Sequence, residues 1–406
     1  MNQPTKISLR VKPPLLQPQE PDPKDRSKPS LSAFLELGFR PLYTAGTAWA
    51  CVAALVWIFW PSLLMGPLQG IAWHAHEMLW GFIATIAVGF LMTAGANWTG
   101  VNPMAPRLLA SAVSLWLVAR VAFLIPEATA FWVGVAAEVS FFAIAAAGMG
   151  RAVFISKNQR NAAIPVLLAG LGVLDLLYLT TAQQSGDYSL LMQRFQAALV
   201  LMALIALLIG RRVIPFFAMR ATPGLVIPAH TRSGWVQLAF SAVAVGSLLA
   251  NQGWLAAWAC AIAGMLALIQ LLSWKPWAVL GNALLWILYA GYGSLGIGLL
   301  LAAAHFWGGS IARALPVHVI AMGGFSVLII GMVTRTALGH LGRPLATDRT
   351  IRASYWLILL AVAFRLCAML PSEIGMGLLQ LSAITWSSGF ALYLWQFVPM
   401  LIRPRH

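Results

Sequence analysis

The sequence predicts an all-α fold, a polytopic transmembrane helical bundle with about twelve spans. Hydrophobic residues make up 60% of the 406-residue chain, and charged residues make up only 9%. The apolar runs are long enough for helices of about 20 residues, which cross the roughly 30 Å hydrocarbon core of a bilayer. They lack the strict apolar–polar alternation of transmembrane barrel strands, so the helical class is favoured.

The chain divides into a tail and one membrane domain. Residues 1–38 are rich in Pro, Lys, Gln and Ser, and we interpret them as a disordered basic cytoplasmic tail. Residues 39–406 form the predicted twelve-helix transmembrane domain. The predicted spans lie near residues 42–64, 74–96, 106–125, 129–150, 161–182, 189–210, 233–251, 253–273, 277–304, 315–337, 351–370 and 375–400.

The basic residues indicate which ends of the spans face the cytoplasm. If the tail is cytoplasmic, the even-numbered loops contain most of the arginine and lysine residues, among them Arg151, Arg212 and Arg343. The odd-numbered loops contain almost none, and Arg313 is the clear exception. Because cytoplasmic loops are enriched in Lys and Arg, we predict that both termini are cytoplasmic.

The formal net charge of +15 is then mostly a consequence of topology, so the predicted partner is the lipid bilayer and not a nucleic acid. The three cysteines, Cys51, Cys260 and Cys367, each stand alone in an apolar segment. They form neither a disulfide framework nor a Cys-x-x-Cys metal or covalent-haem motif. A metal site in this chain must therefore use His, Met, carboxylate or backbone ligands.

A polar motif marks the start of the second span, where His74, His76 and Glu77 stand in an apolar context and Met78 follows. A charged group near hydrocarbon costs about 3 kcal/mol unless it is paired or coordinated, so the motif indicates a functional site. Residues two apart on a helix point in nearly opposite directions. Both imidazoles therefore bind one ion only if the segment is extended; in a helix, each has a different partner.

In the helical case Glu77 is a candidate for orienting an imidazole by a hydrogen bond, and Met78 is a candidate soft ligand. The alternative is an interfacial role, in which these residues bond to loops beside Trp73 and Trp80 of an aromatic belt. We favour the ligand interpretation, because two further histidines are predicted on the same side of the membrane.

These further candidates are His305, at the end of the ninth span, and His318, at the start of the tenth. Imidazole is the commonest neutral metal ligand and an axial ligand of haem iron. A capping role at a helix C-terminus is the alternative for His305. His340, near the opposite end of the tenth span, is a candidate ligand at a second metal site and ranks below the other four.

Charged residues also occur inside the spans: Arg120, Arg194 and Arg365 lie toward the outer ends, with Asp175, and Glu138 lies nearer the middle. In one interpretation the arginines neutralise the two carboxylates. In the other, an arginine binds the propionates of a b-type haem, because the guanidinium group suits carboxylates. The sequence leaves both interpretations open.

Four stretches carry a resemblance to a known family: residues 73–82, with the sequence Trp-His-Ala-His-Glu-Met-Leu-Trp-Gly-Phe, residues 89–100, the Pro-Val-His motif at 316–318, and residues 331–345. They resemble the NnrS family of polytopic bacterial inner-membrane proteins, and the resemblance extends from about residue 33 to the C-terminus. It implies twelve helices, haem b, copper as a further metal, and a role in nitric oxide metabolism and nitrosative stress.

We therefore predict a haem or haem-copper membrane protein that binds or detoxifies nitric oxide, with its site in the periplasmic half between spans two, nine and ten. Redox turnover would require an external electron donor, because the sequence contains no soluble electron-carrier domain. One alternative is a secondary transporter, in which the charged residues inside the spans form a substrate or proton path. The other is an assembly protein that transfers haem or copper to other enzymes. A resemblance in cofactor type does not establish a reaction.

Overall fold

The computed structural model describes residues 28–184 and 187–405, and these residues form helices joined by loops, without β-strands. The helices are α1 (Phe39–Phe59), α2 (Gly70–Thr99), α3 (Pro106–Ala122), α4 (Ala128–Ser156), α5 (Ala163–Gln184), α6 (Tyr188–Ala221), α7 (Thr231–Leu249), α8 (Gly253–Ser273), α9 (Ala283–Phe306), α10 (Ala314–His340), α11 (Arg349–Cys367) and α12 (Gly375–Leu401). The predicted all-helical class is confirmed.

Nine helices in the described part of the chain are long and apolar enough to cross a membrane, namely all of these except α3, α7 and α12. The protein is therefore a multi-pass membrane protein. Each of the twelve predicted segments is helical, but only nine meet the criteria for a span, so the number of about twelve spans stays a prediction.

One helix differs clearly from the prediction. Helix α6 continues to Ala221 instead of ending near residue 210, and it includes Arg211, Arg212 and Pro215. The paired arginines suggested a loop, but Arg212 and Arg220 line a cavity at this end of the helix, where charged side chains have access to water. Basic residues therefore mark the end of the apolar stretch here and not the end of the helix.

Residues 1–27 of the predicted tail, which comprises residues 1–38, lie outside the described residues. Residues Leu31–Phe34 form a short helix, and the backbone nitrogen of Ser30 donates to the carbonyl of Ile402 at 2.8 Å. Arg40, at the start of α1, donates through Nη1 to the carbonyls of Leu401 and Arg403 at 2.9 and 2.6 Å. These bonds join the start of α1 to the end of α12.

Consecutive helices pack against each other through most of the chain, and α12 packs against α1. Helices α2, α6 and α10 are the most buried of the candidate spans and lie at the centre. We call the end of the bundle with the start of α2 and the start of α10 the histidine end, because it contains His74, His305 and His318. The opposite end, with the ends of α2, α6 and α10, is the arginine end.

Helices α2 and α10 share an irregular feature, a π-helical segment of eight residues, at Glu77–Ala84 in α2 and at Val319–Ser326 in α10. Each segment follows a histidine directly, His76 or His318, and the two segments contact each other. Such wide helical turns are rare and are frequent at functional sites. The fold thus brings two irregular helix segments together near the histidine end.

Candidate functional site

Five ionisable side chains from four helices meet inside the bundle, near the histidine end. These residues, which we call the charge cluster, are His76 and Glu77 of α2, Arg120 of α3, Glu138 of α4 and Asp175 of α5; each is at most 2% exposed. Residues so far apart in sequence meet because α2 lies inside the bundle, against helices α3 to α5. Arg120 forms an ion pair with Glu138, the arrangement expected in the first of the two interpretations of the intramembrane arginines.

Hydrogen bonds connect all members of the charge cluster. Arg120 donates from Nη1 to Oε2 of Glu77 at 2.5 Å and from Nη2 to Oε2 of Glu138. The Nδ1 atom of His76 lies 2.9 Å from Oε1 of Glu77, and its Nε2 atom lies 3.0 Å from Oδ1 of Asp175. Thus both ring nitrogens of His76 contact carboxylate oxygens.

The charge cluster is acidic overall. Three carboxylates face one guanidinium group, so the formal charge stays negative even if the imidazole is protonated. Neutral imidazole has one N–H, but two ring contacts each need a proton, so His76 or one of its carboxyl partners carries an additional proton. Two oxygens, Oε1 of Glu138 and Oδ2 of Asp175, are buried with no hydrogen-bond partner among the described residues. A buried site of this kind suits a proton or a cation.

The geometry also suits a metal ion, because ligand atoms of His76, Glu138 and Asp175 lie within 4.8 Å of one another. The walls are aromatic: the His76 ring stacks with Trp80 and Tyr178 at centroid distances of 5.4 and 6.0 Å. Such walls exclude water, so the acidic cluster interacts strongly with any cation that enters.

Gly81 provides the space for the ion pair between Arg120 and Glu77. A Cβ atom at this position would meet Nη1 of Arg120 and would lie 2.7 Å from Oε2 of Glu77. Trp49 of α1 closes this side and donates from Nε1 to Oε2 of Glu77 at 2.5 Å. Neither contribution follows from the sequence pattern, because an apolar span with Trp and Gly is typical of ordinary helix packing in membranes.

A second group of residues lies at the histidine end, and we call His74 and His318 the histidine pair. His74 belongs to α2 and His318 to α10, and they are close enough to interact electrostatically with each other and with Arg365 of α11. The His74 ring stacks on Trp57, with centroids 5.1 Å apart and planes 12° apart. His74 and His76 therefore have different partners, as expected for a helical segment.

The free ring nitrogens distinguish the histidine pair from His76. His318 donates from Nδ1 to the carbonyl of Ala314 at 2.8 Å, so its Nε2 atom keeps an unprotonated lone pair. The Nδ1 atom of His74 is buried and has no hydrogen-bond partner within residues 28–184 and 187–405. Buried polar atoms in native proteins are almost always bonded, so this nitrogen is able to accept a further partner such as water or an ion.

The other predicted site residues have different surroundings. His305 donates from Nδ1 to the carbonyl of Ile311 at 2.8 Å, within the connection between α9 and α10. Arg194 donates to the carbonyl of Leu177 and to Oγ1 of Thr181 and has no carboxylate partner in the described part. Met78 packs against the apolar core, and Glu77 orients His76 and not His74. His340 lies at the arginine end, with its ring 5.4 Å from that of Phe39.

Two cavities follow the central helices away from the histidine end. The first, of about 100 Å³, is almost wholly apolar and lies between α2, α6 and α10, with Ile83, Met202 and Phe325 in its wall. The second, of about 720 Å³, opens at the arginine end and contains His340. Phe90 and Val213 line both cavities, so the two are adjacent.

Comparison with known proteins gives one result that covers nearly the whole chain. Residues 33–405 match the family model described as NnrS protein. The match includes every member of the charge cluster and the histidine pair. A search of curated proteins found no match to the chain.

Proposed function

Since the chain belongs to the NnrS family, we propose that it is a haem protein, with copper as a further metal, that binds or detoxifies nitric oxide in a bacterial inner membrane. The observation that carries this proposal is the histidine pair, in which two imidazoles from the central helices α2 and α10 each have a ring nitrogen with no hydrogen-bond partner in the described part of the chain. The membrane-spanning helices support a location in a lipid bilayer.

The residues at the histidine end fit a metal centre. Imidazole nitrogen binds both copper and haem iron, and ligating histidines usually donate their other nitrogen to a carbonyl or carboxylate. His318 has this arrangement, because Nδ1 bonds to the carbonyl of Ala314 and Nε2 remains available. The buried Nδ1 atom of His74 is explained if it ligates a metal. His74 and His318 would therefore hold the metal, and Arg365 would compensate the charge of haem propionates.

The bound metal would supply the site for nitric oxide, and the residues of the chain have three tasks around it. Trp57 fixes the plane of the His74 ring by stacking, and the Ala314 carbonyl fixes the orientation of His318. The apolar cavity between α2, α6 and α10 accommodates a small neutral molecule without a cost in lost hydrogen bonds. The charge cluster supplies a buried store of protons near the same end.

An optical spectrum tests this proposal. Oxidised and reduced protein, with and without nitric oxide, should show a Soret band that shifts with nitric oxide, and total iron and copper should accompany the protein. His74→Ala and His318→Ala should each lose or shift the band while the protein still elutes as a folded species. His230→Ala is the matched control, because His230 bonds to Oγ of Ser273 at the arginine end, away from the pair.

Unchanged spectra and metal contents in both His74→Ala and His318→Ala would refute the histidine pair as the metal site. His340→Ala provides a further comparison, since His340 lines the larger cavity at the opposite end. Loss of haem only in His340→Ala would instead assign the haem site to the arginine end.

The second candidate function is secondary transport, and the charge cluster favours it. Buried ionisable groups in transporters form proton relays and substrate sites, and this cluster has two carboxylate oxygens with no partner in the described chain. Substrate-dependent flux in liposomes by metal-free protein would support transport. If the purified protein instead holds less than one metal per chain, and that metal exchanges readily, the result would support a role in transferring haem or copper to other enzymes.

A further inference from the structure

The cavity at the arginine end, which we call the arginine cavity, has a basic wall. It has a volume of about 720 Å³ and lies between the ends of α2, α6 and α10 and the connection from α4 to α5. Four arginines from three separate segments line it: Arg160, Arg212, Arg220 and Arg335. In the described part of the chain, no aspartate or glutamate belongs to this wall, so four positive charges share one concave space.

The position of Arg335 in the cavity wall needs an explanation. It is only 6% exposed and lines the cavity, yet its side chain has no hydrogen-bond or ion-pair partner within residues 28–184 and 187–405. Its guanidinium group lies 4.0 Å from the centroid of the Phe217 ring. The positive-inside rule accounts for exposed arginines such as Arg160, but it does not explain why the nearly buried Arg335 presents its guanidinium group to the same cavity.

The wall of the cavity also contains further arginine and amide side chains. Arg212 donates from Nη1 to Oδ1 of Asn161 at 3.0 Å, which fixes its guanidinium group at the cavity wall. The amides of Asn97 and Asn158 also line the cavity. Guanidinium groups that line one space from three separate segments suit the tetrahedral oxygens of phosphate better than the two coplanar oxygens of a carboxylate.

The apolar part of the wall indicates what carries the phosphate. Trp98 and Phe216 line the arginine cavity, and Phe90 and Val213 connect it to the apolar cavity between α2, α6 and α10. An anionic head at the arginines would therefore have an apolar surface behind it for its remaining atoms. This arrangement matches a membrane amphiphile, whose charged head lies at the interface and whose chain lies between helices.

We propose that the arginine cavity binds a phosphate group carried on an apolar body, with Arg335 and Arg212 as its main contacts. Two sources share this chemistry, the headgroup of an anionic phospholipid and a soluble phosphate compound. The proposal is independent of the metal centre at the histidine end.

The test uses the full-length protein in an uncharged detergent and measures bound ligand by native mass spectrometry. The probe is dioctanoyl phosphatidylglycerol, and dioctanoylglycerol is the control with the same chains and no phosphate. The wild-type protein should bind the phospholipid and not the diacylglycerol. Arg335→Gln and Arg212→Gln should each weaken binding by about tenfold or more, because each removes a charge-assisted bond to phosphate.

Arg232→Gln is the matched control, because Arg232 is an exposed arginine at the same end and is not part of the cavity wall. If Arg335→Gln does not fold, Arg160→Gln replaces it, since Arg160 is exposed in the connection between α4 and α5. Inorganic phosphate distinguishes the two sources: competition at low millimolar concentration would assign the site to a soluble phosphate compound, and no competition would assign it to a lipid.

Three results would overturn the proposal. Equal binding by wild-type protein and Arg335→Gln is the first, and equal binding of the phospholipid and the diacylglycerol is the second. The third is loss of haem absorbance from Arg335→Gln together with unchanged phospholipid binding, which would make haem propionates the anions of this cavity.

Discussion

The charge balance of the buried cluster depends on Arg120, which pairs with both Glu77 and Glu138. In Arg120→Met the two carboxylates would stay buried without their shared guanidinium partner. Loss of one partner of a buried ion pair costs about 3–5 kcal/mol, so we expect the free energy of unfolding to fall by that amount. Thermal unfolding of the purified protein in detergent measures the change.

Arg107→Met is the control for this substitution, because Arg107 lies on the same helix and is exposed. It should change the free energy of unfolding by less than about 0.5 kcal/mol. Adding Glu138→Gln to Arg120→Met should restore part of the lost stability, since the double substitution removes one buried negative charge. Equal stability of Arg120→Met and Arg107→Met would contradict the importance of the ion pair.

At the scale of single residues, the sequence predicted the types of residue at the site better than their partners. The low tolerance of membranes for charge was enough to select His76, Glu77, Arg120, Glu138 and Asp175. It could not show that Arg120 binds carboxylates whereas Arg194 bonds to a carbonyl and a hydroxyl. The choice depends on how each helix is rotated, and nearly all-apolar helices have little amphipathic pattern from which to read a rotation.

At the scale of helices, the π-helical segment of α2 begins at Glu77, the partner of Arg120, and Gly81 lies within it. In Gly81→Ala the new Cβ atom would meet Nη1 of Arg120 and Oε2 of Glu77. Overpacking of this kind costs about 1–3 kcal/mol, so the melting temperature should fall. Gly246→Ala is the control, because a Cβ atom there meets no atom within 4 Å. A melting temperature for Gly81→Ala as high as that of Gly246→Ala would contradict this tight fit.

The positions of the helices were predictable, but the two π-helical segments were not. Pro, Gly and basic residues mark most helix ends in this chain, and only α6 extends far beyond its predicted end. A π-helical turn depends on packing between neighbouring helices and has no local sequence signal of comparable strength. The sequence therefore left open which imidazole Glu77 orients, and in the structure Glu77 bonds to His76.

At the scale of the whole molecule, composition was enough to predict a multi-pass helical protein, but not which helices meet. The structure places α2 and α10 together at the centre and His340 at the arginine end, and His305 bonds to the carbonyl of Ile311. A bundle of about twelve helices has many arrangements with the same hydropathy profile, and lipid-facing and buried helices are almost equally apolar. Of the four histidines predicted on one side of the membrane, His74 and His318 lie near each other, whereas His76 belongs to the charge cluster.

The orientation of the molecule in the membrane gives a last prediction. The arginine end contains all four arginines of the arginine cavity, so the positive-inside rule places this end, with both chain termini, in the cytoplasm. In a background without Cys51, Cys260 and Cys367, Gln252→Cys at the histidine end should react with an impermeant maleimide in intact spheroplasts. Arg232→Cys, exposed at the arginine end, should react only after the membrane is permeabilised. The reverse labelling pattern would invert the topology and would place the histidine pair on the cytoplasmic side, where nitric oxide and any electron donor would reach it from inside the cell.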